Sequence, residues 1–398
     1  MPVTGCSGLD GGNNQECYQR NGDAMNDNLL MVADSERDAN MLYAVGAFVP
    51  DPFIYLRLRG RCYIVLSDLE IDRVRKQAPH CHALALSQYQ RQLREDGRKA
   101  GFAQVLQLIL RERKTKRLVV PYDFPLGLAK DLRKLGVRVK PSRAGVFPER
   151  EFKSAEEVKK ISAALMMAEV GMAEGIQALR LSKTGKNGQL IYRNAPLTSE
   201  RLRAVIDCAV LQASGLAANT IVAGGKQGCD PHERGYGPLR ANETIILDIF
   251  PRSQKTGYFG DITRTVVRGR ATEAVRKLYD TVFAGQQIAF RKMRAGTKTS
   301  DVHKAVQDFF VQQGYKTGKR NGRMEGFFHG TGHGLGLEIH EAPRVGLTST
   351  GKLKAGQVVT VEPGLYYPEV GGVRLEDVAL VTSNGARNLT RFEKVLEI

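Results

Sequence analysis

The sequence predicts an α/β domain followed by an α+β domain, and three observations carry that prediction. Short apolar strands alternate with amphipathic helices between residues 29 and 140, the pattern of an α/β layer. A break near 145–152 is followed by a capping box, Ser154 with Glu157, and by a long helix with Val158, Ile161, Leu165 and Met166 on one face. Beyond it, apolar strands carry single carboxylates around a glycine–histidine stretch at 327–341, FFHGTGHGLGLEIHE. The expected division is a flexible tail at 1–28, an α/β domain at 29–150 and an α+β domain at 151–398.

Composition narrows the function. The net charge of +17 invites a nucleic-acid partner. The excess is spread, however, with 24 Lys+Arg against 17 Asp+Glu in residues 1–150 and 35 against 25 in the rest. The densest run, RERKTKR at 111–117, reads as a solvated helix end, so no nucleic acid is expected. No apolar run approaches the ~20 residues that span a bilayer, so no membrane association is expected. No signal peptide is visible at the N-terminus, and a cytoplasmic location is the expectation. The six cysteines, Cys6, Cys17, Cys62, Cys81, Cys208 and Cys229, contain no CxxC and fit reduced thiols. His80-Cys81-His82 lacks a second ligand pair and reads as structural.

The elements follow in order. Residues 1–28 are rich in Gly, Asn and Asp and show little apolar periodicity. A short helix is expected at 38–43, a buried strand at 62–67 and a basic helix at 69–77. An amphipathic helix at 101–113 precedes a strand at 117–121, and a helix at 126–135 stops at Gly136 before a strand at 137–139. The long helix after Ser154 is a candidate link between the domains. A loop is expected at 184–188 and a helix at 199–214. Strands at 243–250 (ETIILDIF) and 258–268 (YFGDITRTVVR) flank a turn, helices follow at 273–293 and 301–313, and strands are expected at 335–340, 357–362 and 372–382.

Four glycines, Gly330, Gly332, Gly334 and Gly336, disfavour a helix where His329, His333 and His340 lie. Neutral imidazole is the commonest metal ligand and a proton carrier near neutral pH. An isolated HxxxH would read as a tight turn with surface histidines; here acidic motifs follow downstream. Asp248 sits in an aliphatic strand, where a lone carboxylate is costly to bury, and Asp261 lies on the returning strand of the same hairpin. Glu362 ends a Val-rich strand. Arg374 and Glu376, two residues apart, share one sheet face, and Asp377 faces the other way. Four carboxylates and a histidine around one cavity would repel one another without a cation. Two divalent metals ~3.5–4 Å apart would relieve that repulsion and activate a shared water. Oxygen-rich ligation with one imidazole suits Mn, Co, Fe or Zn.

These motifs resemble the pita-bread-fold metallopeptidases of the M24 type, which include Xaa-Pro aminopeptidase, Xaa-Pro dipeptidase and methionine aminopeptidase. The match rests on LDIF at 247–250, GYFGDITRT at 257–265, HGTGHGLGLEIHE at 329–341, TVEPGLY at 360–366 and GVRLED at 372–377. The resemblance implies that Asp248 chelates one metal, that His333 and Glu362 hold the other, and that Asp261 and Glu376 bridge both. In the expected mechanism Glu362 also takes the proton of the attacking water. The resemblance gives His232 to the substrate pocket and His329 and His340 to substrate and tetrahedral intermediate, and it places Arg374 beside the bridging glutamate.

The resemblance covers 151–398 closely, and a creatinase-type first domain loosely. That extra domain favours the proline-specific branch over methionine aminopeptidase. The implied activity is dinuclear hydrolysis of the Xaa-Pro bond of peptides or dipeptides, with manganese as the expected metal, a small peptide as substrate and a homodimer or homotetramer as the assembly. The rivals are a methionine aminopeptidase-like exopeptidase, a metal-free creatinase-like hydrolase and a non-catalytic binding protein; the filled ligand positions disfavour the last two. Two departures stand out: the loop between Asp248 and Asp261 is longer than usual, and the chain has no Trp.

Overall fold

A computed structural model describes residues 28–398, so the expected tail lies, apart from Asn28, outside the described residues. Contacts divide the chain into two units, 1–148 and 149–398. The first is built on a six-stranded sheet of β1 (Leu29–Ala33), β2 (Phe53–Leu58), β3 (Arg61–Leu66), β4 (Cys81–Ala85), β5 (Arg117–Val120) and β6 (Arg138–Pro141), in the order β4-β3-β2-β1-β5-β6. The β1–β2 and β2–β3 pairs are antiparallel, and the other pairs are parallel. Helices α1 (Ala39–Val45), α2 (Ile71–Gln77), α3 (Leu86–Glu95), α4 (Phe102–Glu112) and α5 (Leu126–Lys134) alternate with the strands. Two apolar clusters, one containing Met41, Val74 and Ile64 and the other Leu106, Ile109 and Val65, form its core.

The second unit opens with α6 (Ala155–Arg180), whose capping box is formed as the sequence predicts: Ser154 accepts from the Glu157 amide and Glu157 accepts from the Ser154 amide. The helix belongs entirely to this unit and is not a link. Its glycines lie on α7 (Ser199–Gln212): a Cβ on Gly171 would sit 2.7 Å from Val210, and one on Gly175 2.8 Å from Ile206.

Six antiparallel sheets follow, and three of them frame the cavity described below. The first is β7 (Ile221–Gly224), β8 (Thr244–Ile249) and β9 (Ile262–Val267); the last two are buried at every position. After α8 (Glu273–Lys292) and α9 (Thr299–Gln312) come β10 (Gly332–Gly334), β11 (Glu341–Val345), β12 (Val358–Val361), β13 (Gly364–Tyr367), β14 (Gly371–Arg374), β15 (Asp377–Val381) and β16 (Ala386–Asn388). Of these, β13 and β14 pair with each other, and the rest form a sheet in the order β11-β10-β12-β15-β16.

Two expectations are corrected here. Residues 335–340 are not a strand; the strand is 332–334, and 335–340 form a bend held from below. The glycines explain this: a Cβ on Gly332 would lie 1.9 Å from the Thr360 carbonyl oxygen, and one on Gly334 2.1 Å from that of Ala342, so they are strand residues that admit close neighbours. Residues 372–382 are two strands, β14 and β15, broken at Leu375 and Glu376. That break frees Glu376 from both ladders and turns it inward.

Two buried side chains fix the segments that carry the acidic residues. Arg264 on β9 donates to the Glu376 carbonyl at 2.6 Å, to Asp377 Oδ1 at 2.9 Å and to the Phe392 and Glu393 carbonyls at 2.7 and 2.9 Å. Gln286 on α8 donates to the carbonyls of Val361 and Leu375, the residues just before Glu362 and Glu376. Buried polar groups satisfied in this way specify position as much as stability.

Candidate metal centre

All the residues that the sequence singles out, Asp248, Asp261, His333, Glu362, Glu376, His232, His329, His340 and Arg374, line one cavity of about 690 Å³ in the second unit. The β8–β9 hairpin supplies the aspartates. Asp248 pairs with Thr263, and Asp261 lies two residues before Thr263, so both carboxylates reach the same face. The Thr263 hydroxyl donates to Glu376 Oε2 at 2.8 Å, and the Glu376 amide donates to the Thr263 carbonyl at 3.0 Å. The Glu362 amide donates to the Thr331 carbonyl at 2.8 Å, and the His333 amide to Thr360 Oγ1 at 3.1 Å, which ties β10 to β12.

His333 Nε2 lies 3.4 Å from Glu362 Oε1 and 3.8 Å from Asp261 Oδ2. Ligand atoms of Asp261, His333 and Glu376 all lie within 4.8 Å of one another. The Nδ1 of His333 is 3.1 Å from the Gly334 carbonyl, which can only accept, so Nδ1 carries the proton and Nε2 presents a lone pair to the carboxylates. Burial drives the His333 imidazole down to about 3 and keeps it neutral.

The carboxylates are destabilised as anions. Burial first, then the charges of Glu376, Asp248 and Glu362, hold Asp261 well above the carboxylate range. Burial, then Glu362 and Asp248, does the same to Glu376, and burial raises Glu362 to about 7. Asp248 Oδ1 is buried without a hydrogen-bond partner, while Oδ2 accepts from Arg374 at 2.7 Å. Crowded carboxylates, an orphaned oxygen and a neutral imidazole lone pair are the donor set of a site for divalent cations, and these residues fit one.

Around this centre runs a chain of hydrogen bonds. His329 Nδ1 donates to the Gly330 carbonyl at 2.8 Å, so its Nε2 accepts from the Tyr366 hydroxyl at 2.8 Å; that oxygen in turn accepts from Arg374 Nη1 at 3.0 Å. Burial, then the Arg374 charge, lowers His329 to about 3. The His340 ring stands edge-on to His333 at 4.4 Å, and His232 is exposed at the mouth. Glu341 holds up the bend at 335–340: it accepts from the Leu337 and Glu338 amides and pairs with Arg150 at 2.5 Å and Lys153 at 2.7 Å.

The metallopeptidase family M24 profile matches residues 159–383, more than half of the chain and all of it in the second unit. The chain belongs to metallopeptidase family M24. Among relatives in this family, it is 32% identical over 249 residues to the uncharacterized peptidase YqhT of Bacillus subtilis, covering 58% of this chain and 67% of the relative. It is 28% identical over 294 residues to the Xaa-Pro dipeptidase of Pyrococcus furiosus, covering 69% and 78%. The fold is shared with the X-Pro aminopeptidase from Thermotoga maritima (TM-score 0.79, 20% identity, 94% of this chain and 98% of that one). It is shared too with the prolidase from Pyrococcus furiosus (TM-score 0.74, 23% identity, 93% and 97%). An α/β first unit and a pita-bread second unit are therefore the fold class, and the protein is a hydrolase of the metallopeptidase kind.

Three further residues stand near the centre that spacing and composition do not single out. Tyr366 stands inside a quoted motif without an assigned role. Arg344, exposed on β11, lines the cavity, and its charge lowers both His333 and His340. His303 on α9 is buried; its Nδ1 lies 3.0 Å from Thr331 Oγ1 and its ring stacks on Phe327 at 4.8 Å, beneath His329. A lone histidine in an amphipathic helix gives no hint of this.

Proposed function

We propose that the protein is a dinuclear metal-dependent exopeptidase that hydrolyses the Xaa-Pro bond at the N-terminus of peptides or in dipeptides. The observation that carries the reading is the convergence of Asp248, Asp261, His333, Glu362 and Glu376 on one cavity, where their charges coexist only with cations. Those five residues would hold two divalent ions, with manganese the first expectation and Co, Zn and Fe the alternatives. Such ions supply charge neutralisation, polarisation of a carbonyl and acidification of water.

The chain's own groups do the rest. Glu362, which lines the cavity beside His333, would take a proton from water and pass it to the leaving proline nitrogen. His340 and His232 border the space where an oxyanion would develop. The Arg374–Tyr366–His329 chain fixes the His329 ring. An Xaa-Pro amide has no N–H, so the site needs no acceptor for one. The reading includes a small peptide substrate, no nucleic-acid or membrane partner, a cytoplasmic location and a homodimer or homotetramer; among the described residues no helix is long and apolar enough to cross a membrane.

The test is hydrolysis of Ala-Pro, Ala-Pro-Ala and Met-Ala-Ser by metal-stripped protein with Mn, Co or Zn restored. Metal-dependent cleavage of both proline peptides indicates an aminopeptidase P-like enzyme, and cleavage of Ala-Pro alone a dipeptidase. Preference for Met-Ala-Ser, or no cleavage by protein that binds both ions, overturns the reading.

Arg344 refines the expectation. Its guanidinium stands at the cavity wall, where its charge acts on Glu362, His333 and His340 without a salt bridge among the described residues. A free substrate carboxylate is a suitable counter-charge. Arg344→Ala is expected to raise KM for Ala-Pro by about tenfold or more, the value of one charge-assisted hydrogen bond. A longer peptide, whose carboxylate lies further out, should change less. Equal losses on both would assign Arg344 to the chemistry instead.

A further inference from the structure

In the first unit, three adjacent strands set a row of reactive groups across the sheet. Cys62 on β3 lies directly opposite Arg57 on β2 and directly opposite Cys81 on β4. Partners in register project from the same sheet face. Tyr55, two residues before Arg57, reaches the same spot, with its hydroxyl 3.3 Å from Cys62 Sγ. Arg57 Nε is buried and lacks a hydrogen-bond partner. Cys62 is half-buried, next to the exposed turn that opens β3, whereas Cys81 is only 6% exposed.

The ordinary reading of two such cysteines is small apolar filler. Their neighbours argue otherwise. A thiolate is stabilised by hydrogen-bond donors and cations, and thiols placed in that way are the reactive ones. The neighbouring Cys81 thiol, then the Tyr55 hydroxyl, with the charges of His80 and Arg57, outweigh burial and hold Cys62 below the ordinary thiol range. The neighbouring Cys62 sulfur, then burial, pushes Cys81 upward. Exposure separates the two: Cys62 is half-buried and Cys81 almost closed off, which makes the first the accessible thiol and the second the sheltered partner.

We propose that Cys62 is a hydroperoxide-reactive thiol, and that Cys81 resolves its oxidised form into a Cys62–Cys81 disulfide. In the first step the Cys62 thiolate attacks one peroxide oxygen; the S–O bond forms, the O–O bond breaks, and the departing hydroxide takes a proton to become water. In the second, Cys81 gives up its proton and attacks the Cys62 sulfur; the S–S bond forms, the S–O bond breaks, and the departing hydroxide takes that proton to become water. The sum is two thiols and one hydrogen peroxide giving one disulfide and two waters. Neighbouring strands run about 4.8 Å apart, within the Cα separation that a disulfide spans.

The test uses the intact, metal-loaded protein and peptide-resolved mass spectrometry, with the exposed Cys208 and the buried Cys229 as internal references. With limiting iodoacetamide near about pH 6, Cys62 is expected to be alkylated at least about tenfold faster than Cys208, and Arg57→Gln to narrow that ratio. With equimolar hydrogen peroxide the expected product is a Cys62–Cys81 cross-linked peptide pair. In Cys81→Ser the same treatment should leave a dimedone-trapped sulfenic acid on Cys62. Alkylation of Cys62 no faster than Cys208 in the unmodified chain overturns the proposal, and that measurement needs no variant to fold. Trapped sulfenic acid in place of the cross-link in the unmodified chain overturns the role of Cys81.

Discussion

Glu376→Ala and Asp261→Ala are each expected to lower kcat/KM on an Xaa-Pro substrate by more than about 10³-fold, with loss of at least one bound ion. The size follows from position. Asp261 lies between the His333 side of the cavity, 3.8 Å from Nε2, and the Glu376 side, and these three residues alone among the described ones form a compact ligand group. Truncating either residue removes oxygen donors from the centre of the cluster instead of its edge. Glu376 is also the carboxylate that Thr263 and Arg264 work to place: one donates to its side chain and the other to its carbonyl. Activity and metal content should be measured on the same preparation. Turnover retained after an ion is lost would make that ion dispensable for hydrolysis and sink the two-metal reading; an inactive variant that keeps both ions would make the residue's role chemical instead of coordinative.

Much of this site can be read in the chain because burying charge is costly. Asp248 within TIILDI and Glu362 after VVTV stand out against strands that otherwise hold only apolar or hydroxyl side chains. The local path of the chain was harder to read. Leu335, Leu337 and Ile339 alternate as a strand would, yet the segment bends, because Glu341, anchored by Lys153 and Arg150, captures two amides of the bend with its carboxylate. That anchor comes from nearly two hundred residues upstream and leaves no local trace. Likewise 372–382 reads as one strand, although Arg264 and Gln286 pin the break at Leu375 and Glu376 from other elements. In the first unit β1 and β2 are short apolar runs without alternation, and α3 sets Leu86, Tyr89 and Leu93 at helical spacing within a strongly polar segment; pairing with β1 and β3 defines β2. Tyr366, Arg344 and His303 act through partners distant in sequence, and spacing alone does not reveal such partners.

The metal-free protein is expected to become less stable than metal-free Glu376→Gln as the pH rises, and the order should reverse when metal is restored. Asp261, Glu376 and Glu362 hold their protons more tightly folded than unfolded, chiefly through burial and mutual repulsion. A raised carboxyl contributes stability that is fully present below its unfolded value near 4.5 and is lost as pH rises through its folded value, because the native state then binds more protons than the unfolded one. For Glu362 that loss runs from the ordinary carboxylate range to about 7, and for Glu376, also raised, it has the same direction. His333 and His329, both lowered to about 3, act in the opposite sense, since the unfolded chain binds their protons up to about 6.5. Cys62 also favours the folded state at higher pH. Comparing the chain with a single-site variant cancels these shared contributions and leaves Glu376 together with the part of the Asp261 shift that its charge causes. Glutamine keeps the shape and can still accept from the Thr263 hydroxyl, but it carries no charge for Glu362 and Asp248 to repel. Thermal melts of chelator-treated protein between about pH 6.5 and 8.5 should therefore show Glu376→Gln melting higher by on the order of 5 °C at the alkaline end, and the gap should close toward acid. Restored metal should stabilise the native chain more than the variant, because a cation gains from the very charge that the empty cluster disfavours. If the metal-free variant is the less stable protein across the whole range, the cluster is not a set of mutually destabilised carboxylates, and the argument for cations drawn from their crowding fails with it.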